Sequence, residues 1–310
     1  LGIIKILGLV LILTALYLYG KQLNDNWNYL STSNIHFNFF WALSAFLFIC
    51  ISYACITLAW HLILNDFNEL KKGINFSESI SVYNSSQIAK YIPGKIWGYV
   101  LQISILKRFG INKSTIIYLN ILISFLSILY SFFFGFLFLL TTIKMNLNIA
   151  FLIFVLSIIL LLLFMHRDTF FSLRKILIKL CRFLGKEINL LKISSKIFMK
   201  VNILIFISVL FFGISGYASA IAIGSSFNVQ LILPIISSII VSDAIGFLFL
   251  ISPGGLGIRE LILFKMLVFY GLGTISIFIP VAFRLNNMLA DFFLGSLALF
   301  MLYKNKAIKK

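Results

Sequence analysis

Charge is scarce in this sequence. Asp, Glu, Lys and Arg make up 11% of its 310 residues, against about 25% in soluble globular domains. That scarcity leaves no soluble domain of appreciable size to be expected. Acidic residues are rarer still, nine Asp and Glu against 26 Lys and Arg. Cys50, Cys55 and Cys181 show no metal-ligand spacing, and two of them share one apolar segment, which argues against a disulfide framework. His36, His61 and His166 make no HExxH-type constellation and read as interfacial or packed residues. A Walker-type phosphate loop is missing, so the chain carries no ATPase signature of its own. Its loops also hold no DxD-like or His/Asp cluster of the sort a metal-assisted transferase needs.

Apolar sequence fills the space. The hydrophobic share is 61% and the mean hydropathy is +1.06. The runs are continuous, not alternating over about ten residues, which excludes an outer-membrane barrel. Spans of about 20 apolar residues are expected at 3–19, 37–64, 115–140, 149–165, 201–223 and 274–303. The first has no small-residue cleavage site and reads as a retained span, not a signal peptide. The fold class is therefore an all-α polytopic membrane protein, a single transmembrane domain over 1–310.

Two segments between these spans, 78–108 and 230–271, are interrupted by glycine-proline breaks. One is Tyr91-Ile92-Pro93-Gly94-Lys95-Ile96-Trp97-Gly98 and the other Ser252-Pro253-Gly254-Gly255-Leu256-Gly257. A broken backbone at membrane depth survives only where protein or a water-filled cavity satisfies its polar groups. Each segment therefore reads as a re-entrant or broken-helix hairpin. Gly110 and Gly271 close the apolar runs after the two breaks, and each hairpin lies between two long spans. Counting crossings, the halves face opposite ways. The expected organisation is an inverted repeat, 37–140 and 201–303, joined by a connector at 141–200.

Lysine and arginine set the orientation. Arg174, Lys175, Lys179 and Arg182 lie in 167–200, interleaved with Leu173, Ile176, Leu177 and Leu180 at helical spacing. This predicts an amphipathic helix on the cytoplasmic leaflet. Lys71, Lys72, Lys107, Arg108 and Lys113 flank the first hairpin, and Lys304, Lys306, Lys309 and Lys310 end the chain. All of these become cytoplasmic when both termini are cytoplasmic, in a cell (inner) membrane. The net charge of +17 thus reflects topology, and no nucleic-acid partner is expected.

Residues 86–100, SQIAKYIPGKIWGYV, and 252–260, SPGGLGIRE, make the chain resemble the flippase-like membrane family that includes the transmembrane region of lysylphosphatidylglycerol synthase. The likeness covers nearly the whole chain. It implies movement of a lipid with a charged headgroup between leaflets, beside envelope glycan or aminoacyl-lipid synthesis. Bifunctional synthases of that family carry a large C-terminal soluble domain. This sequence stops at Lys310, so synthesis of the aminoacyl lipid is not expected of it. Gln102 stands where relatives carry a basic residue, so headgroup preference is not carried over.

The chemistry expected at the breaks is anion binding. A helix restarting inside the membrane aims free N–H groups and a positive dipole end at the break. Pro93, Gly94, Gly98, Ser252, Pro253, Gly254, Gly255 and Gly257 would form these corners. Lys90 and Lys95 add charge at the first and Arg259 at the second, and Trp97 packs on an acyl chain or anchors the hairpin at the interface. Ionisable residues at membrane depth are costly and mark function: Asp243, Arg259, Glu260, Arg284 and Asp291 all lie in the C-terminal third. Arg284 and Asp291 are two turns apart on one helix face. One reading has Arg259 and Arg284 hold a lipid phosphate, with Asp243, Glu260 and Asp291 as proton-relay or counter-ion groups. The other makes them internal ion pairs that tie the second hairpin to the last span. Three functions fit: a translocator of an anionic-headgroup lipid (phospholipid, aminoacyl-phospholipid or polyprenyl-phosphate-linked glycan), a non-catalytic partner of an envelope-synthesis enzyme, or a membrane-embedded lipid-linked transferase. Neither cofactor nor metal is expected, and a transporter is favoured over a chemical catalyst.

Overall fold

The computed structural model describes residues 37–66, 74–91, 97–142, 193–225, 228–248 and 257–304, with a few single residues besides. The expected spans at 3–19 and 149–165, the basic amphipathic stretch up to 192, and both breaks themselves (92–96 and 249–256) lie outside these stretches. The described residues form eight α-helices. They are α1 (Phe39–Asp66), α2 (Phe76–Ile88), α3 (Trp97–Leu106), α4 (Lys113–Thr142), α5 (Ser195–Ala222), α6 (Val229–Leu248), α7 (Ile258–Phe269) and α8 (Phe278–Lys304). Short 3₁₀ turns follow α2 and α3 and precede α8.

Five of these helices, α1, α4, α5, α6 and α8, are long and apolar enough to cross a membrane. Large apolar side chains such as Phe40, Leu47, Ile121, Phe132, Phe293 and Phe300 face outward. This inverts the pattern of a water-soluble bundle and suits a lipid surface. α6 has 20 residues, about 30 Å of helix and the thickness of the hydrocarbon core. Helix α2, which precedes the first break, has 13 residues, about 20 Å. Of the two helices that precede the breaks, α6 is thus the longer.

The bundle is organised around α1 and α5, which pack antiparallel along their whole length. The Asn38 N–H donates to Ala222 O at 2.8 Å at one end, and Ser194 N–H donates to Asp66 Oδ2 at 2.6 Å at the other. Between them Ser215 Oγ donates to Ala45 O at 2.8 Å. Ser52 and Ser208 bond reciprocally, Ser52 Oγ to Ser208 O at 2.8 Å and Ser208 Oγ to Ser52 O at 2.9 Å. Every contact steps equally far up one helix and down the other. Small residues make this approach feasible, since membrane helices associate by close packing and interhelical hydrogen bonds.

The other helices exchange partners across that pair. α2 packs on α8, and α4 packs on α6. α2 pairs with α3, and α6 with α7, as limbs of the two hairpins. Gly98 lets α3 close on α2, because a Cβ there would lie 2.9 Å from the Ser86 carbonyl oxygen. Gly213 and Gly216 do the same between α5 and the Ile236, Ile239 and Ile240 side chains of α6. The second limbs end alike. Gly110 and Gly271 both take positive φ, 78° and 71°. In each, the next N–H bonds back five residues, Ile111 to Leu106 O and Leu272 to Leu267 O. That is a Schellman-type stop, which requires a residue tolerant of the left-handed region.

Candidate functional site

A cavity of about 340 Å³ opens among the helices, and every one of the eight contributes to its wall. Ser52 and Ser208 line it, each at the midpoint of its 28-residue helix. The cavity therefore sits at half the depth of the central pair.

Its charges arrive from both halves. Lys90 and Tyr91 belong to the turn just before the first break. Lys90 Nζ lies 2.7 Å from Asp291 Oδ2, and the Tyr91 hydroxyl donates to the same oxygen at 2.6 Å. Asp291 is 1% exposed. The Tyr91 ring stacks on Phe292, centroids 5.5 Å apart, with Lys90 Nζ at 5.6 Å and Arg284 Cζ at 6.0 Å from its centre. Its phenol and its π-face thus engage one carboxylate and two cations. Arg259, from the first turn of α7, pairs with Asp243 of α6 at 2.5 Å. Gly246, a turn further along α6, leaves room for it, since any Cβ there would overlap the Arg259 side chain. Arg284 Nη1 lies 3.6 Å from Glu260 Oε1. A side pocket of about 20 Å³, room for one water, lies between Arg259, Glu260 and Arg284.

Glu260 has a second task. Its Oε2 accepts the Gly257 N–H at 2.8 Å, as the third residue of a capping box does. Gly257 takes φ 83° at this cap. The α7 start offered by sequence to a substrate anion is thus served in part by the helix's own carboxylate. The cations beside it carry the remaining positive potential.

Among the residues singled out by sequence, Lys90, Gly98, Asp243, Arg259, Arg284 and Asp291 meet around the cavity. Glu260 lines the side pocket. Trp97 is 45% exposed and does not line the cavity, as an outward-facing anchor would not. Gly257 caps α7 outside the wall. Pro93, Gly94, Lys95, Ser252, Pro253, Gly254 and Gly255 lie outside the described residues.

Sequence reading missed a set of neutral polar residues that line the cavity as well. Asn120, Ser124, Ser127 and Ser131 of α4 line the cavity at steps of four, three and four, one face of a helix. Asn120 Nδ2 donates to Gln102 Oε1 at 2.7 Å, and Gln102 Nε2 donates to Ser86 Oγ at 2.8 Å. The signal was present as helical periodicity of polar residues within an apolar span. It stayed faint because a lone serine can satisfy itself by back-bonding to its own helix.

Long apolar helices around a polar, charge-paired cavity at mid-depth define a polytopic membrane protein with an internal site. The family model described as the lysylphosphatidylglycerol synthase TM region matches residues 2–301, and the chain belongs to that family. It is a multi-pass membrane protein of a family tied to lipid synthesis and flippase-like function. No curated protein matches the sequence.

Proposed function

We propose that this protein translocates a lipid with an anionic headgroup between leaflets, passing the headgroup through the mid-depth cavity while the acyl chains stay in lipid. The observation that carries this reading is convergence. Lys90 and Tyr91 beside the first break and Arg259 beside the second reach one cavity, with Arg284 between them. Three cations there are held by carboxylates across helix boundaries. A phosphate can take the place of a carboxylate at such pairs. A proton on the displaced carboxylate then keeps a buried charge from being left bare, the condition for crossing a low-dielectric region. The volume falls within the range of small-molecule sites, about 300–1,000 Å³.

The two halves, 37–140 and 201–303, act in this proposal as an inverted repeat within one domain, each with a hairpin that enters and returns on its own side. The antiparallel α1–α5 pair, the α2–α8 and α4–α6 exchange, and the twin glycine stops at Gly110 and Gly271 support it. Alternating access then follows from one half rocking on the other about the Ser52–Ser208 contact. Asp66 at the end of α1 meets Ser194 at the start of α5, the end that carries Lys196 and Lys200, which supports a cytoplasmic face there. In this proposal both termini lie on that face, in a cell membrane. Transport, not bond chemistry, is the proposed activity, and Asp243, Glu260 and Asp291 serve as counter-ions that a proton or a substrate relieves.

The test is leaflet exchange of a fluorescent anionic phospholipid in vesicles holding the purified protein. Exchange should require the protein and be lost in Arg259→Ala and Arg284→Ala, with both variants recovered as folded protein. Each charge already has a partner, which favours a second reading in which the pairs only tie hairpins to the last span. Equal loss of folded material in both variants, with exchange per folded molecule unchanged, would establish that reading instead.

A further inference from the structure

The two oxygens of Asp291 are served unequally. Oδ2 takes Lys90 Nζ at 2.7 Å and the Tyr91 hydroxyl at 2.6 Å. Oδ1 has no hydrogen-bond partner among the described residues, and neither has Asn287 Oδ1. Both side chains line the cavity and are more than nine-tenths buried. They stand four residues apart on α8, neighbours on one helix face.

These two oxygens cannot satisfy each other while Asp291 is ionised, because a carboxylate and an amide oxygen both only accept. A buried polar atom without a partner is costly. One proton removes both costs. On Asp291 Oδ1 it becomes a donor to Asn287 Oδ1, directly or through one water. The Tyr91 hydroxyl still serves Oδ2, so neither oxygen of the neutral carboxyl is left bare. Lys90 then no longer faces a charge. It lines the cavity and keeps 36% of its side-chain surface, which leaves it room to turn toward a phosphate.

The other carboxylates lack this arrangement. Asp243 keeps 31% of its side-chain surface and faces Arg259. Glu260 has one oxygen on the Gly257 N–H and the other beside Arg284. Tyr53 of α1 and Tyr83 of α2 are the further ionisable groups around Asp291, while α5 presents Ser208, Val209 and Phe212. The turn before α8, Gly273–Ile277, carries no ionisable side chain. At rest Lys90, Arg259 and Arg284 are balanced by Asp291, Asp243 and Glu260. A proton and a singly charged phosphodiester that arrive together keep that balance.

Resting on the translocator reading of this cavity, we infer that the protein takes up one proton with each anionic lipid, held on Asp291 and bridged to Asn287 while Lys90 turns to the phosphate. Transport is then electroneutral and follows a pH difference, not the membrane potential.

The test reads binding and exchange separately. A short-chain phosphatidylglycerol is titrated calorimetrically into the purified protein in buffers of different ionisation heat. Its phosphodiester stays singly charged near neutral pH, so any proton taken up goes to the protein. About one proton per lipid is expected, and affinity should fall about tenfold per pH unit once Asp291 is ionised. Asp291→Asn copies the neutral carboxyl and should bind with no proton uptake and no pH dependence. Asn287→Leu removes the bridge and keeps the result readable should Asp291→Asn fold poorly. It should move the pH profile down by about 0.7 unit, the fivefold weight of one hydrogen bond. In vesicles, a pH difference should shift fluorescent phosphatidylglycerol toward the leaflet on the alkaline side, and a potential at equal pH should not. Proton uptake on binding with no exchange would sink translocation and keep the proton site. Binding without proton uptake, uptake that persists in Asp291→Asn, an unmoved profile in Asn287→Leu, or exchange indifferent to pH would overturn the inference.

Discussion

Asp291 is the residue on which the two halves of the molecule meet. It is buried on α8, and its Oδ2 takes both Lys90 Nζ and the Tyr91 hydroxyl from the far end of the first hairpin. Taking away one member of a buried pair leaves the other exposed to a low dielectric, which costs more than the pair contributes. Asp291→Ala should lower the melting temperature in detergent, and adding Lys90→Met should restore part of the loss. Lys90 keeps about a third of its surface, so the coupling in a double-mutant cycle is expected at about 1 kcal/mol. Additive effects would mean that the two groups do not pair. The basic and acidic members of this cluster were legible from sequence, because charge at membrane depth stands out against apolar surroundings. Their pairing was not, since Tyr91 and Asp291 lie in different halves and nothing local records the distance between them.

The hairpins depend on helix contacts too close for a side chain to intrude. Gly98 faces the Ser86 carbonyl oxygen at 2.9 Å from where a Cβ would stand, and backbone has little room to yield. Gly98→Ala should separate α3 from α2 and strain the Gln102–Ser86 bond beneath it. A loss of about 1–3 kcal/mol is expected, typical of overpacking, and read as a lower melting midpoint in detergent. The same midpoint as the parent would show that the limbs are not held this closely. At this scale the sequence was informative wherever an element is continuous. Expected spans at 37–64, 115–140, 201–223 and 274–303 correspond to α1, α4, α5 and α8, whose ends differ by a few residues. Uninterrupted apolar runs specify a helix without reference to neighbours. α2 is the opposite case. It is serine-rich yet buried over Ser81–Ser86, and only its packing on α8 and α3 explains a polar helix so deep.

The whole molecule turns on the α1–α5 pair. Because the two helices are opposed, the start of α1 lies beside the end of α5 at one face of the bundle, and the end of α1 beside the start of α5 at the other. A cysteine pair at 66 and 194 and another at 38 and 222, in a background with Cys50, Cys55 and Cys181 replaced by alanine, should each crosslink within one chain. The first pair should be labelled by an impermeant thiol reagent from one side of the membrane only, and the second from the other. Labelling of both from one side would refute the opposed arrangement and with it the inverted repeat. The spacing of two breaks and two glycines led from the sequence to the proposal of an inverted repeat. The sequence held no information on which helix of one half faces which helix of the other.

Composition and apolar run length, acting alone, settled that this chain is helical and lives in a membrane, because lipid leaves a backbone few ways to satisfy its hydrogen bonds. They also singled out ionisable residues within apolar sequence, since burying charge is costly. Only the tertiary structure decided that Lys90, Tyr91, Arg259, Arg284 and Asp291 share one cavity with neutral Gln102, Asn120 and serines. Those relations depend on side chains from opposite halves of the chain arriving at one point. Such convergence is set by how helices pack, not by what any single segment prefers.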